Sequence, residues 1–291
     1  MKHARFVLVC LVLALAACSP QPNVAKLSGY SGGTTFPVGD RALNVADAAI
    51  GDGNPAMALS VSQSVLRDDP GNVNALIHEG EAYYALMRCP DAMAAYSLAL
   101  QTDPKSSEAE TGMGRCLLKT DPKAAEAALM LAVQDDPHNA AAWDDLGISR
   151  DLQGDFTGAL APFQQALLLE PGSLPAEENL GLSLALTGHS AEALQYLGPL
   201  AAGPDATAKV RENYAAALIA SGREVEARAV LGIDLPPDQV DGAMAGFQAM
   251  FAGTQPALEE GENSLGKFRT EAAPPPQYED QVKKYYQEIV R

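Results

Sequence analysis

Small and large apolar positions return in a fixed order along most of the chain, at an interval too long for one helix or strand. Acid–Pro pairs mark it: Asp69-Pro70, Asp103-Pro104, Asp136-Pro137 and Glu170-Pro171, spaced 34, 33 and 34 residues apart. Within each interval apolar residues recur at three- and four-residue steps, the spacing of one helix face. Gly53, Gly154, Gly188 and Gly222 fall between paired helical stretches, where a left-handed helix end is wanted. Asn72, Ser106, Asn139 and Ser173 follow the prolines and predict N-caps for the next helix. The pattern predicts helical hairpins stacked in series, each burying its apolar face against its neighbours.

The units align in detail. The fourth carries Trp143, Leu146, Gly147, Ala159, Phe163, Ala166 and Pro171; the second carries Leu76, Gly80, Tyr83, Ala92, Tyr96, Ala99 and Pro104. The third has Gly114, Leu117, Ala125, Leu129, Ala132 and Pro137, with one residue missing from its middle turn. The fifth has Leu180, Gly181, Leu184, Ala193 and Leu197, and the sixth Tyr214, Ala215, Leu218, Ala227 and Leu231. The first is the least regular, running from Gly39 through Ala58 and Val65 to Pro70. Gly80, Gly114, Gly147 and Gly181 would let paired helices approach closely, with Ala92, Ala125, Ala159 and Ala193 answering them. These residues resemble the tetratricopeptide-repeat (TPR) signature over residues 39–231. The resemblance implies an all-α TPR solenoid of about six helix–turn–helix repeats, with a capping helix and disordered termini.

Pro236-Pro237 break the pattern, and a helix from about Asp238 to Phe251 within residues 232–252 is expected to cap the last apolar face. Residues 253–277 lack core periodicity, end in Pro274-Pro275-Pro276 and read as a disordered linker. In residues 278–291, Tyr278, Val282, Tyr285, Tyr286, Ile289 and Val290 fall on one helical face. Such an amphipathic helix either docks on its own solenoid or recognises a partner.

The other end of the chain changes the picture. Lys2, His3 and Arg5 precede an apolar run from Phe6 to Ala17, which as a helix would cover only about 18 Å. A bilayer core needs about 30 Å, so residues 1–17 read as a signal peptide. Leu15-Ala16-Ala17-Cys18 resembles the lipobox of bacterial lipoproteins, which implies acylation at Cys18 and attachment to a membrane through the lipid. Ser19, in place of Asp, implies passage to the outer membrane, facing the periplasm. Residues 18–38 read as a flexible tether rich in Pro, Gly, Ser and Thr.

The formal net charge is -17, more negative still without Lys2 and Arg5, and it argues against nucleic acid as a partner. His78, His138 and His189 have no metal-pair spacing, no CxxC occurs, and no nucleophile has a base beside it. No enzyme activity, cofactor or metal is expected. Cys89 and Cys116 sit in neighbouring units, either bridged as a disulfide or as two buried thiols.

The TPR resemblance implies a ligand-facing concave wall built from the first helix of each unit. Its apolar members would be Ile77, Tyr84, Leu118, Ile148, Leu152, Leu182, Leu186 and Ile219. Glu81, Arg115, Asp144, Asp151, Glu178 and Glu212 would lie among them, so the partner expected is a protein segment with basic flanks. In plan the chain is similar to TadD-type proteins of tight-adherence (Flp) pilus assembly and to TPR pilotins. That similarity implies an outer-membrane secretin as partner. The alternatives are a scaffold for cell-wall enzymes or outer-membrane protein assembly, and an unrecognised enzyme.

Overall fold

The structure is a computed structural model, and it describes residues 38–254. The expected signal peptide, Cys18, most of the tether and the helix at 278–291 lie outside the described residues. Thirteen helices and no strand occur among the described residues.

Twelve helices pair as six hairpins. They are α1 (Val38–Gly51) with α2 (Pro55–Asp68), α3 (Val73–Ala85) with α4 (Cys89–Thr102), and α5 (Ser107–Leu117) with α6 (Pro122–Asp135). Then follow α7 (Ala140–Asp151) with α8 (Phe156–Leu169), α9 (Leu174–Leu186) with α10 (Ser190–Ala202), and α11 (Ala208–Ala220) with α12 (Glu224–Leu231). A last helix, α13 (Pro237–Thr254), lies on α11 and α12, where Val240 and Met244 join Leu218, Ile219 and Leu231 in a buried cluster. It closes the apolar face that a further hairpin would otherwise cover.

The helix ends follow local chemistry. Asn72, Ser106 and Asn139 accept hydrogen bonds from the backbone N–H three residues on. Ser173 holds the same position but makes no such bond; Pro175, two residues on, has no N–H, so one fewer donor needs a partner. Gly53, Gly154, Gly188 and Gly222 have φ of +70 to +86° as the hairpin turns require. The second hairpin turns through Met87 at φ +59°, a conformation that disfavours side chains.

The core differs from expectation in one respect. Ala92, Ala125, Ala159 and Ala193 are fully buried, yet the paired glycines face the residues four positions later. A β-carbon on Gly147 would overlap the Phe163 ring; one on Gly114 or Gly181 would lie 2.6 Å from Leu129 or Leu197. The glycine therefore makes room for a large side chain, not for close backbone contact. Tyr96 is gripped twice, because β-carbons on Gly80 and on Gly112 would both strike its ring.

Candidate functional site

The first helices touch one another in succession: α1 with α3, α3 with α5, α5 with α7, α7 with α9, α9 with α11. No comparable contact joins consecutive second helices among the described residues. The stack is therefore tighter on the side of the first helices, which makes their shared face the concave wall.

The repeat interval identifies equivalent positions on that wall. Asp47, Glu81, Arg115, Ile148, Leu182 and Ala216 are spaced 34, 34, 33, 34 and 34 residues apart. The same register position thus runs from acidic through basic to apolar. Of the residues expected to form an apolar stripe, Ile77, Leu118, Leu186 and Ile219 are buried, at 6–9% exposure. Ile77 and Leu118 belong to the core of the second to fourth hairpins, and Ile219 to the core under α13. They are covered by the chain itself. Tyr84, Ile148 and Leu182 are half-buried and Leu152 is 51% exposed. Of the expected stripe, these four are left for a partner.

The wall carboxylates are also placed differently from the expectation. Asn179 Nδ2 donates to Asp144 at 3.2 Å, Asn213 Nδ2 donates to Glu178 at 2.8 Å, and the Ser183 hydroxyl donates to Asp151 at 2.7 Å. Arg115 Nε pairs with Asp145 at 2.7 Å. Each of these bonds joins one first helix to the next. The residues reaching back from the later repeat again share a position: His78, Gly112, Asp145, Asn179 and Asn213, at spacings of 34, 33, 34 and 34. His78 lies 4.0 Å from Asp47 of the previous hairpin. A polar rung therefore crosses every junction but one, and at that one, between the second and third hairpins, Gly112 faces Tyr96 instead. The equivalence of these positions is visible in the repeat, but their pairing is not, because it joins residues 30–35 apart across two helices.

Burial weakens the wall's negative charge. It pushes the Asp151 carboxyl up to about 7, with Asp155 and Asp144 adding to the rise and the Ser183 bond opposing it. Burial also lifts Asp145 to about 6, against the nearby Arg115 guanidinium, and raises Asp144. Glu110, behind the wall on α5, rises to about 8 through burial and nearby Asp135. One Glu110 oxygen and one Asp151 oxygen are buried without a hydrogen-bond partner. Carboxylates that read as recognition groups are thus largely consumed in holding the repeats together.

Asp47, His78 and Glu81 bring ligand atoms within 4.8 Å of one another, the one cluster among the described residues with the composition of a metal site. His78 Nδ1 lies 2.9 Å from Glu81, and this bond raises the imidazole's pKa against the opposing effect of burial. Asp47 is largely exposed and the i,i+3 His–Glu bond accounts for the arrangement without an ion. Cys89 is half-buried and Cys116 buried, and both are free thiols.

Known structures fit this architecture. The chain superposes on the pilF protein of Pseudomonas aeruginosa with a TM-score of 0.60 and 19% identity, over 72% of this chain and 96% of that one. PilW, described as a widely conserved type IV pilus biogenesis factor, gives 0.58 at 22% identity over 68% and 94%. A thermophilic TPR protein of Thermus thermophilus, TTC0263, gives 0.53 at 19% identity over 62% and 99%. The chain is a TPR solenoid. No protein-family profile matches it. In sequence it is 30% identical over 117 residues to the general transcriptional corepressor ssn6 of Schizosaccharomyces pombe. That match takes in 39% of the TPR chain but only 11% of the corepressor's length.

Proposed function

We propose that this TPR solenoid is a protein-binding scaffold, carried to the outer membrane by lipid on Cys18, that holds a segment of a pilus secretin against its concave wall. The observation that carries the reading is the wall itself. Tyr84, Ile148, Leu152 and Leu182 stay open along the first helices, while the carboxylates between them are tied to the next repeat. An apolar row on a rigid concave support suits an extended or helical segment, with large side chains as anchors.

The lipid anchor rests on the leader and on Leu15 to Cys18. No helix among the described residues is long and apolar enough to cross a membrane. The pilus reading is supported by the likeness of fold to pilF and PilW.

Leu152 and Leu182 are the residues to change, because Ile148 also packs against two core clusters. Leu152→Asp with Leu182→Asp should abolish partner capture from envelope extracts while leaving helicity intact. An anchor of this kind contributes about 2 kcal/mol or more, so the double variant should bind at least about a hundredfold more weakly. Equal recovery of every partner by both proteins would remove the site from the wall. Recovery of a cell-wall synthase in place of a secretin would keep the wall and overturn the pilus assignment. With much of the wall charge consumed internally, binding should depend only modestly on salt.

A further inference from the structure

The junction between the second and third hairpins differs from the other four. Gly112 stands where the other repeats place a polar rung, and it supplies no side chain to bond backward. A sulfur contact does cross this junction. Cys116 Sγ, on α5, lies 3.9 Å from the carbonyl oxygen of Cys89, the first residue of α4. We propose that Cys89 and Cys116 are an oxidisable pair that covalently crosslinks the second repeat to the third.

The fold brings the two residues into contact. A disulfide needs α-carbons about 4.4–6.8 Å apart and side chains that point at each other. The Cys116 sulfur is seated against its partner's own backbone carbonyl, and the Cys89 thiol is near enough to help raise the Cys116 pKa. Exposure assigns an order of attack. Cys89 is half-buried at a helix start, whereas Cys116 is 8% exposed, and its thiol is pushed well up by burial and by Cys89. A scarce, covered thiolate reacts slowly with an oxidant in solution.

The chemistry is an exchange with a disulfide donor, either a small-molecule disulfide or the disulfide of an oxidoreductase. The Cys89 thiolate attacks one donor sulfur, forms a mixed disulfide and expels the other donor sulfur as a thiolate. Cys116 then loses its proton and attacks the Cys89 sulfur, breaking the mixed disulfide and expelling the second donor thiolate. The pair gives up two electrons and two protons, and the donor leaves as two thiols. The crosslink sits by the wall, since Tyr84 is close enough to feel the charge of both thiols and of Arg115. It would fix this part of the groove where no polar rung does.

The test treats the full chain, reduced and then exposed to oxidised glutathione, and locates the product by peptide mapping after maleimide labelling. The expected product is a Cys89–Cys116 peptide pair, lighter by two hydrogens and resistant to maleimide until dithiothreitol is added. Cys116→Ser should trap glutathione on Cys89. Cys89→Ser should leave Cys116 modified at least about tenfold more slowly. Closing the bond should raise the melting temperature by about 4–15 °C. A wild-type chain that stops at the glutathione adduct on Cys89, or keeps both thiols open to maleimide, would overturn the proposal. So would equal labelling rates for Cys89 and Cys116 in the two single variants.

Discussion

The two halves of the concave wall are built on the same repeat and carry different chemistry. In the first half the recurring wall position holds Asp47, Glu81 and Arg115, with the thiol pair behind it. In the second half it holds Ile148 and Leu182, with Leu152 exposed beside them. The cores differ too. Tyr96 in the first half is held between glycines of two successive repeats, while Phe163 in the second faces the single glycine Gly147. The lesson is that the fold draws on a few positions per repeat: glycine, alanine and one large group. The wall position lies outside that set, so it varies from acid to apolar along the solenoid, and where it does touch the next repeat, at Arg115 and Ile148, it does so by different chemistry.

The largest expected effect comes from removing the two rings. Tyr96→Ala and Phe163→Ala should each cost about 3–5 kcal/mol, the range for aromatic truncation in a core. Both are essentially fully buried. Tyr96 should be the costlier, because its ring contacts two repeats and stands at the junction without a polar rung. In a solenoid such a loss tends to stay local, so Tyr96→Ala should split urea unfolding into two steps and Phe163→Ala should not. A single shared transition for both variants would erase the distinction between the halves.

Adding a methyl group tests the same contrast on a smaller scale. Gly112→Ala and Gly147→Ala both place a β-carbon inside a ring, and overpacking costs about 1–3 kcal/mol. Phe163 has one glycine pressed upon it, whereas Tyr96 has Gly80 on its other contact and cannot withdraw. Gly112→Ala should therefore shift the denaturation midpoint further than Gly147→Ala. The reverse order would mean that Tyr96 has slack the packing does not suggest.

How much of this is legible in the sequence follows from how repeats work. The hairpins, their turns at Gly154 or Gly188, and the caps at Asn72 and Asn139 are local, so residue types at fixed offsets reveal them. The residue that fills each glycine's space differs from the one expected, because Ala159 and Phe163 both recur with the period and periodicity cannot say which one points at Gly147. Met87 is illegible for the opposite reason: the turn imposes a left-handed backbone on a residue that does not favour it. The wall is only half legible. Position on a first helix predicts which side a residue faces, and Ile148 and Leu182 follow it. Whether Leu118 or Ile219 is covered depends on how closely adjacent repeats stack, which no single repeat encodes.

The two buried carboxylates behind and along the wall give the finest separation of the halves, since they titrate in different pH ranges. Unfolded carboxyls ionise near about pH 4. Folded Glu110, in the first half, is raised to about 8, and folded Asp151, in the second, to about 7. Between the unfolded and folded values the folded chain holds more protons than the unfolded one, so stability must fall as pH rises. The fall from Asp151 should be complete soon above about pH 7, while that from Glu110 should continue to about pH 8 or 9. Glu110→Gln and Asp151→Asn keep the shapes and remove the charge. Each should be close to neutral at about pH 3, below the unfolded values, and stabilising at about pH 9, by about 1–3 kcal/mol for Glu110→Gln and about 1–2 kcal/mol for Asp151→Asn. Denaturation measured across that range should then show that Asp151→Asn lessens the earlier part of the profile, to which Asp145 and His78 also contribute, and leaves the later decline, whereas Glu110→Gln removes that later decline. The Asp151 effect is the smaller, because its second oxygen already accepts from Ser183 and that bond favours the charged form. A wild-type profile that stays flat over this range would mean that both groups ionise freely in the fold, and that the carboxylates along the wall are available to a partner after all.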